Sequence, residues 1–292
     1  MHLLPAIPWQ FIIAADMRMT GIHVRAPAFP YHLHNYFRTH CFFDPPSHIV
    51  EAALNNLRIF PIGPVFSMAQ SLRTNRLLQG LHGLAHAHSR SDGDRTLAWG
   101  HIYDVGYLLA QLQVVVERYG SMEEQVILIG CQMQYWGMMR FLTHKPEIQK
   151  GQLRRLANII ASLDLVTLCS RWEKLTGSLD LLLWTLCNAC VCVLHSGETG
   201  RYAGERLPDW LKSAMEYIFQ QLTLRRPDDL RTRLEQMPFT QRWNEKACQY
   251  FEAWSKTGDI TQKSASNQSP SSSSEKSIFQ RLRMDLDIWH DT

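Results

Sequence analysis

Along most of this chain, apolar residues recur with the 3.6-residue period of a helix that buries one side. Ser47 follows Pro45-Pro46 and precedes Ile49, Val50, Ala53, Leu54 and Leu57, which predicts a helix that Pro61-Ile62-Gly63-Pro64 stops. A second helix is expected from Val65 to His88, with Leu77, Leu78, Leu81, Leu84 and Ala85 on one side. After the loop Ser89–Asp94, a third carries Trp99, Ile102, Tyr103, Leu108, Leu109 and Leu112 toward Val116 and closes at Gly120. Ser121-Met122-Glu123-Glu124 has the form of a capping box, in which each outer side chain bonds the other residue's amide, and opens a helix to Leu142.

Lys145-Pro146 breaks that run, and Leu153, Leu156, Ile159, Ile160 and Leu163 mark the next stripe. Ser178 is placed to cap the most apolar stretch, Leu181–Leu194, which includes Asn188. That stretch is shorter than the roughly 20 residues a membrane span needs, so it reads as a buried core helix anchored by Trp184. Leu207-Pro208-Asp209-Trp210 starts a helix bearing Leu211, Met215, Ile218, Phe219 and Leu222. Pro227-Asp228-Asp229 starts another, with proline first and acids in the opening turn, where they meet the positive end of the helix dipole. Trp243, Ala247, Tyr250, Phe251 and Trp254 mark the last core helix.

With no segment of strand-like alternation, the expected fold is all-α, a multi-helix globular domain of about nine helices. Residues 1–46, rich in proline, histidine and aromatics, form an irregular N-terminal segment, and residues 47–256 form the helical domain. Residues 257–277 hold Ser, Gln, Asn and Lys with little to bury and are expected to be a disordered serine-rich linker. Residues 278–292 form a short tail whose apolar positions include Phe279, Leu282, Leu286 and Trp289.

Charge and cysteine content narrow the functional classes. The formal charge of +3 and the shortness of the basic runs, Arg225-Arg226 and Arg281-Leu282-Arg283, do not make a nucleic-acid surface. The N-terminus lacks the cationic start of a signal peptide. Seven cysteines without framework spacing suit a reducing compartment.

Three arrangements invite a chemical reading. His82 and His86 share a helix face at the spacing of two zinc ligands, but no glutamate stands between them to act as a base, and no third ligand is evident. Cys187, Cys190 and Cys192, with His195 nearby, lie in an apolar helix where cysteine fills core volume. Asp228-Asp229 resembles a magnesium-binding pair, but Thr232 and Arg233 stand where a further carboxylate would be needed. All three are read as structural. No catalytic residue, cofactor or metal site is expected, and the phosphate-loop, nucleophile-elbow and dinucleotide fingerprints are absent.

The order of the segments resembles a known family. Leu77-Leu78-Gln79-Gly80-Leu81-His82-Gly83-Leu84-Ala85-His86-Ala87-His88 is similar to the Leu/Ala-rich helix of fungal-specific transcription factors. Leu97 to Leu112 takes the place of that family's next helix, and Glu124 to Leu142 that of the apolar helix after it. Gln152 to Asp164 resembles its L-x-x-L-I-x-W-x-D segment, with Asp164 kept and the tryptophan replaced. Leu181-Leu182-Leu183-Trp184 resembles the opening of its late buried helix, and Trp210, Leu222, Leu230 and Trp243 follow at similar spacing.

The resemblance covers residues 65 to 255 and implies the helical regulatory domain of zinc-cluster regulators, which restrains or relays activation. The family's six-cysteine DNA-binding cluster has no counterpart here, since Cys41 is the sole cysteine before Cys131. What the resemblance implies is a nuclear transcription regulator of a metabolic or secondary-metabolite gene set. It would work through protein partners, either a DNA-binding regulator or the transcription machinery, without direct DNA contact and without a membrane. An all-α enzyme of secondary metabolism and a helical interaction scaffold are the competing readings, with the cytoplasm as the alternative location.

The chain alone is expected to give no sequence-selective shift in a DNA mobility titration at physiological salt, because specific binding needs a groove-reading element and a cationic face. A sub-micromolar, sequence-selective shift contradicts this.

Overall fold

The computed structural model describes helical residues between 77 and 85 (except 79 and 83), and then residues 99–138, 146–176, 178–197 and 207–265. The segment 1–46, the helix expected from Ser47, His86 and the tail with Trp289 lie outside the described residues.

Among the described residues there are nine helices and no strand. They are α1 (77–85), α2 (Trp99–Tyr119), α3 (Met122–Met138), α4 (Pro146–Ser162), α5 (Leu165–Thr176), α6 (Asp180–Gly197), α7 (Asp209–Gln221), α8 (Pro227–Glu235) and α9 (Gln241–Ala265). None of them is long and apolar enough to cross a membrane.

Polar side chains at the helix ends account for several boundaries. The Ser121 amide donates to Glu124 Oε2 at 2.7 Å and the Glu124 amide to Ser121 Oγ at 3.2 Å, which is the reciprocal pair expected from the sequence. Ser178 Oγ accepts the Asp180 amide at 3.0 Å, at the start of α6. The Asp229 carboxylate accepts the amides of Arg226 at 3.0 Å and Arg225 at 3.2 Å, so the acids of α8 do complete a helix start. Asp164 caps α5 by accepting the Thr167 amide at 2.8 Å and its hydroxyl at 2.6 Å.

These bonds hold both aspartates below the usual carboxylate range, the Thr167 hydroxyl acting first for Asp164 and the Arg226 amide first for Asp229. A depressed carboxylate favours the fold while ionised. The contribution of both caps is therefore present above the ordinary carboxylate range and is lost as pH falls through their lowered values.

Three boundaries differ from the sequence reading. Pro146 begins α4 instead of merely ending the helix before it, since its fixed φ suits a first helical position and its missing N–H costs nothing there. Helix α5 was not expected at all, although Leu168, Cys169 and Trp172 make a buried stripe. The last helix runs on to Ala265, nine residues past the expected limit at 256, so the helical part extends into the stretch assigned to the disordered linker. Helix α7 ends without glycine: Thr223 takes a left-handed φ of 51°. Its amide donates to the Gln220 carbonyl at 3.0 Å and that of Leu224 to Phe219 at 2.9 Å, the paired bonds of a Schellman ending.

Helix α6 is the centre of the packing. Residues 181–193 are all buried, and α3, α4, α7, α8 and α9 lie against it. Helix α1 turns Leu77, Leu78, Leu81, Leu84 and Ala85 into the same core, the face the periodicity marks. At the far side Phe219 meets Phe251 edge-on at 4.7 Å, and Trp254 closes the cluster while donating its indole N–H to Glu216 at 3.1 Å.

Trp184 is fully enclosed, and its indole N–H donates to the Pro238 carbonyl at 3.0 Å. Truncation removes the packed ring and leaves that carbonyl without its donor. Trp184→Ala is expected to cost about 3–5 kcal/mol. Against a domain stability of about 5–15 kcal/mol, urea melts should show a marginal or unfolded protein. A near-neutral melt would remove Trp184 from its place as anchor.

Candidate functional site

Where α3, α6 and α9 meet, amide side chains are buried amid the apolar core. Burial of an amide costs free energy unless each of its groups is paired, so the pairing decides whether this is a site or a joint. Asn244 Nδ2 donates to Gln134 Oε1 at 3.2 Å and to Asn188 Oδ1 at 3.4 Å, and Gln134 Nε2 donates back to Asn244 Oδ1 at 3.4 Å. Asn188 Oδ1 also takes the Trp243 indole N–H at 3.0 Å, and Asn188 Nδ2 reaches the Trp184 carbonyl one turn back at 3.2 Å. The Thr240 amide completes the set, donating to Asn244 Oδ1 at 2.8 Å at the start of α9. The His195 ring lies flat on Trp243, centroids 4.8 Å apart.

A second group joins α2 to α3: Gln132 Nε2 donates to Gln113 Oε1, and Gln132 Oε1 takes the Trp136 indole N–H at 2.8 Å.

Glycine lets these helices approach. A Cβ on Gly137 would overlap the fused rings of Trp243, and one on Gly130 would lie 2.9 Å from the Trp184 ring. The space beside the seam is filled by these indoles. The amides and indoles of the seam do not titrate near neutral pH, so they offer hydrogen bonds and shape. It makes a joint that fixes how α9 lies against α3 and α6.

The residues singled out in the sequence are scattered relative to this seam. His82 Nδ1 lies 3.2 Å from the Met237 carbonyl, tying α1 to the turn between α8 and α9. Cys187, Cys190 and Cys192 are fully enclosed in α6, and burial pushes their thiols well above the ordinary range. Burial likewise raises Cys169 to about 12 and Cys248 to about 11. A protonated thiol is a poor nucleophile. Among the described residues, no group of three or more His, Cys, Asp or Glu side chains is arranged to hold a metal ion.

Charged pairs fasten the periphery. Arg233 reaches Asp180 at 2.6 Å, and Arg231 reaches both oxygens of Glu245 at 2.8 Å, so α8 is tied to α6 and to α9. Arg171 on α5 meets the buried Glu123 at the start of α3 at 2.8 Å.

Sequence reasoning did not pick out Gln134 or Asn244 as buried partners. The available signal was Asn188, a lone amide inside the most apolar run, which demands polar company once that run is enclosed.

No protein-family model, no curated protein and no solved structure matches the chain.

Two glycine substitutions should move stability in opposite directions. Gly137→Ala gains helix propensity of about 1 kcal/mol. It also drives a methyl into a fixed indole, and overpacking of about 1–3 kcal/mol or more wins, so the variant is destabilised. At the exposed Gly151 in α4, where a Cβ meets nothing within 4 Å, only the propensity gain remains and Gly151→Ala should stabilise. Denaturant midpoints read both signs, and a gain at Gly137 would contradict the close approach of α3 to Trp243.

Proposed function

We propose that this chain is a helical regulatory domain of the kind found in fungal-specific transcription factors. It acts on transcription through protein partners and makes no DNA contacts of its own. The observation that carries this reading is α6: a helix opening Leu181-Leu182-Leu183-Trp184 that is enclosed at the centre of an all-α body. That is the position the resemblance gives to the family's late buried helix. The agreement of α1, α2, α3 and α7 with the resembling segments supports the same reading.

In this view the enclosed amide seam and the indoles of Trp184 and Trp243 keep the body rigid, and regulation is exerted by its outer surface on a DNA-bound partner. The protein then works in the nucleus on a metabolic or secondary-metabolite gene set. The rival enzyme reading leans on the His82/His86 face or on Asp228-Asp229. His82 Nδ1 lies 3.2 Å from the Met237 carbonyl, and Asp229 is already engaged by two amides at the start of α8.

The test is to fuse the full chain to a heterologous DNA-binding module in a fungal host and read a reporter placed behind that module's site. The expected result is a several-fold rise or fall in output relative to the module alone at equal abundance. Trp184→Ala, which should unfold the body, should abolish the change. Unchanged output from an abundant, folded fusion would overturn the proposal.

A further inference from the structure

We draw no further inference here: the strongest candidate, the cluster of thiols that Cys187 and Cys190 on α6 form with Cys248 on α9 in the core, carries nothing, because it rests on the raised pKa of buried thiols alone and no geometry in the structure makes it a site.

Discussion

Helix α6 is apolar on nearly every side, and a helix of that kind has to be surrounded before the chain can be stable in water. The other elements are placed by that requirement. Helices α3, α4, α7, α8 and α9 each cover part of α6. Of these, α4, α7, α8 and α9 turn an apolar side inward and a polar side out, whereas α3 is itself buried along nearly its whole length. Hydrophobic burial drives this assembly but is indifferent to register, because one apolar side chain replaces another at little cost.

Register comes from the polar seam. Asn188 is forced inside with α6, and its amide is satisfied when Asn244 and the Trp243 indole are brought alongside it. Asn244 in turn holds Gln134 on α3 and the Thr240 amide that begins α9. A shift of α9 by one turn would strand several buried donors at once, each costing about 1–3 kcal/mol. Gly137 serves the same end by steric means, since the Trp243 ring fits against α3 where there is no side chain. The result is an interior in which the amides of Asn188, Asn244 and Gln134 and the Trp243 indole are engaged in holding α3, α6 and α9 together.

Much of this was legible in the sequence because it depends on local rules. The Ser121–Glu124 box, the cap by Ser178, the acidic start of α8 and the buried face of α1 each follow from neighbours a few residues apart. The all-α class follows from periodicity alone. What escaped notice depends on tertiary pairing or on signals weaker than a long stripe. Asn244 sits beside Trp243 in a helix whose polar residues look like an ordinary outer face, and its partner Gln134 lies 110 residues away. The left-handed Thr223 carries no glycine to announce the end of α7, and α5 is a short helix whose cap, Asp164, reads equally well as a loop residue. At the other end, the polar composition after Thr257 suggested an earlier stop than the helix makes, since lysine, glutamine, serine and alanine are all compatible with helix once a packed segment has nucleated it.

The central claim is that α6 is the element on which the remaining packing rests. Native-state hydrogen exchange measures this directly, because it ranks helices by the free energy needed to open them. The account predicts that the amides of Leu182 to Cys192 exchange only through global unfolding, with a protection free energy equal to the stability from denaturant melts, while those of α5 and α8 exchange sooner. Exchange in α6 that is faster than in α5 or α8 would contradict it.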